Sequence, residues 1–120
     1  MAKILIADRD ETLRNLIEEV LVRDGNEVGH VDDGTDAFYA IRDDNYDLVI
    51  LEYKMPSLTC LEILARLQME NALVPPTMIL STKGSADVIR ECIEAGARDF
   101  VLKPVEMPVL IQRIKKLLKR

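Results

Sequence analysis

The ten residues from Asp47 to Pro56, "DLVILEYKMP", hold the pattern from which the rest of the chain can be read. Leu48, Val49, Ile50 and Leu51 form an unbroken apolar run, too short for a helix and without the alternation of a half-exposed strand, so it reads as a strand buried on both faces. Glu52 stands at the last step of that strand, and Pro56 follows four positions later. A carboxylate in that place means that something at the strand end requires negative charge or once required it.

Working outward, four more short runs share this form: "KILIA", "EVGHV", "TMIL" and "DFVL". The second is interrupted and mixed, as an edge strand is. Longer amphipathic stretches separate the runs. After Asp10, a good N-cap, the residues Leu13, Leu16, Ile17, Val20 and Leu21 follow the i, i+3, i+4, i+7, i+8 stripe of a helix, and Gly25 supplies its left-handed stop. A shorter helix runs from about Thr35 through Ala37, Phe38 and Ile41, and a third carries Leu61, Leu64 and Leu67 ahead of Pro75 and Pro76. The fourth, capped by Ser85, places Val88, Ile89, Cys92 and Ile93 on one face and stops at Gly96; the fifth carries Leu110, Ile114, Leu117 and Leu118. Strands alternating with helices make right-handed βαβ crossovers, which predicts an α/β protein with a parallel sheet covered on both faces. In such a sheet, chemistry gathers outside the carboxyl ends of the strands.

Composition narrows the function classes. A chain of 120 residues is long enough to bury a core, and residues 1–120 show no linker, repeat or low-complexity tract, so one domain is expected. No apolar stretch approaches the roughly 18 residues of a membrane span, and "MAKILIADRD" lacks the pattern of a signal peptide, so the expected location is cytoplasmic, with no membrane contact. Cys60 and Cys92 are too few for a disulfide framework or a metal cluster and read as small buried hydrophobes, a reactive thiol being the other reading. His30 is the only histidine, which excludes a multi-histidine metal site. The net charge of −5 argues against direct nucleic-acid binding by the body of the domain. The closing stretch "RIKKLLKR", with Arg113, Lys115, Lys116, Lys119 and Arg120, either complements the dipole of its own helix or forms a partner-binding patch.

At the strand ends stand Asp8 after the first run, Glu52 after the third, Ser81 after the fourth and Lys103 after the fifth. Two acids, a hydroxyl and a lysine thus converge on one rim. With "KILIADRDE", "DLVILEYKMP", "MILSTKGS" and "EAGARDFVLKPV", the whole chain resembles the receiver domain of bacterial two-component response regulators. The resemblance implies a flavodoxin-like (βα)5 fold: a doubly wound five-stranded parallel sheet in the order 2-1-3-4-5 with five helices. It also implies a phosphorelay function, in which a histidine kinase passes a phosphoryl group to an aspartate at the end of strand three while Mg2+ is held by an acidic pair after strand one. On this pattern Asp8 matches the first acid of the pair, Ser81 the switch hydroxyl, Phe100 the switch aromatic and Lys103 the lysine that contacts phosphoryl oxygens, with Pro104 in a cis peptide.

Three positions depart from that pattern. Glu52 replaces the phosphoacceptor aspartate, Arg9 replaces the second metal-binding acid, and Thr59-Cys60 replaces the Asp-Gly that usually follows the Met-Pro turn. One extra methylene carries the Glu52 charge about 1.5 Å farther out, toward Lys103 and Ser81 and partway to where a phosphoryl group would sit. Arg9 removes a magnesium ligand and brings a fixed cation, which either pairs with Asp8 or Glu52 or turns outward. The expectation is a metal-free pseudo-receiver with no cofactor and no enzymatic activity, held by a phosphomimetic glutamate and acting through protein partners. Those partners, a histidine kinase or a downstream effector, would meet the face of helix four, strand five and helix five, where a homodimer could also form. The alternative is a receiver that still accepts a phosphoryl group. A nucleotide- or flavin-binding domain of similar topology is disfavoured because "DRDETL" after the first strand offers no Gly-rich phosphate loop.

Overall fold

Strands and helices alternate along the chain in a computed structural model that describes residues 1–119: β1 (Lys3–Ala7), α1 (Glu11–Arg23), β2 (Glu27–Val31), α2 (Gly34–Asp43), β3 (Leu48–Glu52), α3 (Cys60–Met69), β4 (Thr77–Ser81), α4 (Ala86–Glu94), β5 (Asp99–Leu102) and α5 (Met107–Leu118). Arg120, the last cation of the basic stretch, lies outside the described residues. The strands form one sheet in the order β2-β1-β3-β4-β5 with every pairing parallel. The strand order reverses between β1 and β3, so the loops leaving these neighbours diverge to opposite faces and open a crevice at their carboxyl ends.

Side-chain alternation along the strands divides the core in two. Ile4 and Ile6 of β1, Leu48 and Ile50 of β3, Met78 and Leu80 of β4 and Val101 of β5 pack with α1 and α5 through Ile17, Leu21, Leu110 and Ile114. Leu5, Ala7, Val49, Leu51 and Ile79 pack on the other face with Ala37, Phe38 and Ile41 of α2, Cys60, Ile63 and Leu67 of α3, and Cys92 of α4. Burying one such aliphatic side chain stabilises the fold by about 1.5–3 kcal/mol. Both cysteines are buried in this second layer. Burial pushes both thiols up, which suits packing rather than reactivity.

The helix starts follow their caps. Asp10 accepts from Leu13 N and Ser85 from Val88 N, and Gly25 and Gly96 take φ of 92° and 114° just past the ends of α1 and α4. Two stripe positions differ from the sequence reading. Leu16 is 49% exposed and Ile93 is 46% exposed. On α1 the inward position belongs to Arg14, only 7% exposed, whose Nη1 donates to the main-chain oxygen of Asp8 at 2.6 Å. On α4 only Cys92 is fully buried, and α3 buries Cys60, Ile63, Leu64 and Leu67 while Leu61 is half-buried.

Candidate functional site

The alternation that sorts the core also decides which rim residues meet. Asp8 continues the Ile4-Ile6 face, Glu52 the Leu48-Ile50 face, and Lys103 the face of Val101, so all three point toward the α1 and α5 side of the sheet ends. Ser81 has the opposite parity, continuing Ile79, as does Phe100 on β5. Asp8, Glu52 and Lys103 thus form a charged trio, and Ser81 lines the cleft beside Glu52.

Within the trio the Lys103 ammonium lies between two acids, 2.9 Å from Asp8 Oδ2 and 3.0 Å from Glu52 Oε2. Its directed hydrogen bond goes to Glu52, while Asp8 Oδ2 is held by charge, off the line of a hydrogen bond. The other oxygens are met by main-chain donors: Asp10 N donates to Asp8 Oδ1 at 2.8 Å and Arg9 N to Glu52 Oε1 at 3.0 Å. Asp8 is fully buried and Glu52 is 6% exposed. Burial, followed by the neighbouring Glu52 charge, holds the Asp8 carboxyl above the usual carboxylate range against the lowering effect of Asp10 N and Lys103. Burial pulls the other way on Lys103, but its contacts with Asp8 and Glu52 outweigh it and keep the ammonium above its ordinary value.

Arg9 realises part of each reading. Its side chain is 57% exposed, yet Nε approaches Glu52 Oε2 at 3.5 Å as a single rather than a forked contact. Its stronger contribution, the main-chain N–H to Glu52, is independent of side-chain identity and so could not be read from the sequence. Ser81 is buried, and its Oγ donates to Lys83 O and accepts from Lys83 N, both at 2.9 Å, closing a local turn. Arg9, Glu52, Tyr53, Lys54, Ser81, Thr82 and Lys83 surround a cleft of about 40 Å³ here. Phe100 is half-buried, packed on the core beneath α4 and beside Ile89 and Leu102. The Lys103-Pro104 peptide is cis.

The loop after β3 is built into the fold by residues the sequence reading passed over. Asp33, the N-cap of α2, accepts from Ser57 Oγ at 2.7 Å, and Gly34 N donates to Pro56 O at 2.8 Å. The Ser57 hydrogen bond holds the Asp33 carboxyl below its usual range. Thr59, one of the three departures, forms a capping box with Glu62 at the start of α3, and Cys60 fills the core behind it. The Thr59-Cys60 change is thus absorbed by a sound helix start. A Thr with Glu three positions on was the available signal.

A doubly wound parallel sheet with two acids and a lysine gathered at its switch point defines a class of α/β module that works from the carboxyl rim of its strands. The chain belongs to the response regulator receiver domain family, whose model matches residues 4–115. It is 30% identical over 120 residues to the chemotaxis protein CheY of Pseudomonas aeruginosa, covering 98% of this chain and 97% of that protein. It is also 30% identical over 118 residues to the DNA-binding response regulator MtrA of Mycobacterium tuberculosis, covering 98% of this chain but only 51% of that one. Among solved structures, the receiver domain of the Francisella response regulator 1452 superposes with a TM-score of 0.91 at 30% identity, covering 100% of this chain and 98% of that one. Chemotaxis response regulator CheY4 of Vibrio cholerae gives 0.89 at 26%, covering 98% and 99%. The strand order 2-1-3-4-5 expected from the resemblance is the order found. The chain is a receiver domain of two-component signalling.

Proposed function

We propose that this receiver signals without phosphorylation, as one protein-interaction unit whose Glu52 charge stands in for the phosphoryl group of its relatives. The observation that carries the reading is the position of Lys103 Nζ, within 3.0 Å of both buried acids. Glu52 reaches the lysine directly, so the contact that the family's lysine makes to phosphoryl oxygens is already made by a side-chain carboxylate. Ser81 and Phe100 take the switch positions, with the hydroxyl committed to Lys83. On this reading the protein is not an enzyme.

The donor set does not fit magnesium, and no step is assigned to it. The two carboxylates that reach the cluster share an ammonium, Arg9 adds a guanidinium beside Glu52, and among the described residues no three His, Cys, Asp or Glu side chains stand where they could hold a metal ion. Magnesium prefers oxygen ligands in a near-ideal octahedron, and a cation already seated among them repels it.

Partners meet the α4–β5–α5 face. An open groove of about 280 Å³ runs there between Ile89, Phe100, Leu102, Pro104, Val109 and Arg113, with Leu102 and Val109 each about half exposed. Val109→Glu should abolish binding of a kinase, an effector or a second copy there while leaving the unfolding midpoint unchanged. Among the described residues no helix is long and apolar enough to cross a membrane.

Intact-mass spectrometry after incubation with acetyl phosphate, with and without magnesium, tests the central reading. The expected mass is that of the unmodified chain in both conditions. A magnesium-dependent gain of one phosphoryl group would establish the alternative, a receiver that still accepts phosphate.

A further inference from the structure

At the opposite end of the sheet from the rim, where β5 begins and α5 ends, Arg98, Arg113, Lys116 and Lys119 surround a cavity of about 390 Å³ together with Asp99 and Leu117. The dipole of α5 accounts for cations near its last turn, Lys115 and Lys116 among them. It does not account for Arg98, which arrives from the turn after α4 and is anchored there by its main-chain N–H to Thr77 O. Two elements therefore deliver cations to one concavity.

Among the described residues, the single acid in the cavity is already engaged. Asp99 Oδ1 accepts from Phe100 N at 2.8 Å and from Arg113 Nη1 at 3.2 Å, and Arg113 also donates to Phe100 O. These bonds hold the Arg113 guanidinium against the β5 edge as a fixed wall. Among the described residues, Arg98, Lys116 and Lys119 have no carboxylate within ion-pair distance. From residue 98 onward the sequence has seven basic residues against two acids, inside a chain whose net charge is −5. The remainder is strongly acidic.

We propose that this cavity binds a compact polyphosphate anion, two or three linked phosphoryl groups as in a nucleoside diphosphate or triphosphate. Three unpaired cations around a concave site match several negative oxygens on one small ligand, and Arg98 can offer a forked contact to one phosphoryl group. The volume lies within the range of small-ligand sites, and Leu117 gives an apolar wall for a ring. A long nucleic acid fits less well, because beyond this patch its phosphates would run onto the acidic remainder of the surface. The site is independent of the rim and of whether Glu52 accepts phosphate.

Isothermal titration of the full chain with tripolyphosphate and with ATP, without magnesium, tests the assignment alongside two-dimensional NMR shift mapping. The expected result is saturable 1:1 binding that weakens with added salt and shifts resonances at Arg98, Lys116 and Lys119 rather than at Glu52. Arg98→Glu with Lys116→Glu should weaken it by at least about tenfold, since each contact is charge-assisted. Arg66→Glu, the same kind of charge reversal on exposed α3, and Lys54→Glu at the rim should leave it within twofold. All of these positions are exposed, so the variants should fold. No saturable binding, equal loss in Arg66→Glu, shifts centred on the rim, or binding of duplex DNA or an acidic peptide but not of tripolyphosphate would each overturn the proposal.

Discussion

Lys103 is the residue on which the candidate site turns, because it alone neutralises two buried acids at once. Replacing it as Lys103→Met leaves Asp8 and Glu52 facing each other without a cation between them, and should cost about 3 kcal/mol at neutral pH. The sign of the pH dependence is specific. In the native protein the Lys103 ammonium lies above its ordinary value, so its contribution is complete below about pH 10.5 and is lost as pH climbs through the raised folded value. In the variant the buried Asp8 carboxyl, already held above its usual range by burial, loses the lowering effect of the ammonium and binds a proton more readily folded than unfolded, so stability should recover toward that of the parent as pH falls from neutral to about 5. Urea unfolding of both chains across that range checks this; a gap that stays constant would contradict it. A second prediction concerns repair. Glu52→Asp with Arg9→Asp shortens the acceptor and rebuilds the acidic pair, and should restore magnesium-dependent phosphorylation by acetyl phosphate, while each single change fails. Such coupling is strongly non-additive, and a base-labile adduct on residue 52 is the readout. Much of this site was legible in the strand-end acids and the lysine. Ser81 stands on the rim beside Glu52, but its hydrogen bonds to the Lys83 main chain depend on the path of the following loop and could not be read from the sequence. Arg14 escaped because a charged residue one step off an apolar stripe gives no sign that its guanidinium is needed beneath the Asp8 carbonyl.

Among the elements, the loop after β3 is fixed by the start of α2. A side chain at Gly34 would run into the main chain of Leu58, whose nitrogen would lie 2.8 Å from the new Cβ and whose oxygen would lie closer still. Backbone cannot swing aside. Gly34→Ala should therefore destabilise the domain by about 2 kcal/mol, even though a helix favours alanine over glycine by about 1 kcal/mol. At Gly84 the obstacle is only the end of the Leu102 side chain, half exposed and free to rotate. Gly84→Ala should cost less than about 1 kcal/mol. Chemical denaturation of the pair measures the contrast, and equal costs would contradict the packing described. The elements themselves were readable because both-face burial makes short continuous strands and because Asp10 and Ser85 cap where good N-caps should. Helix faces were less so: Leu16 and Ile93 satisfy the 3.6-residue period, yet sit at the margins of stripes whose width is set by the neighbouring elements.

Across the whole molecule, charge is segregated along the fold. Residues 1–97 carry 19 acids against nine basic residues and residues 98–120 carry two against seven, so that α5 and the β5 edge form a basic flank on an acidic body. This arrangement favours approach by negatively charged partners at that flank and disfavours it elsewhere. The same global view bears on the rim, where two acids are closed by Lys103 and flanked by Arg9. The account stands or falls on whether that closed cluster excludes a divalent cation. Titration of the native chain with magnesium, followed through the side-chain carboxyl resonances of Asp8 and Glu52 and the ammonium of Lys103, is the direct test. The account predicts no saturable shift into the millimolar range, with Lys103 remaining ion-paired with both acids throughout. A saturable shift at Asp8 and Glu52, accompanied by release of the Lys103 ammonium, would show that the metal displaces the lysine and would contradict the account.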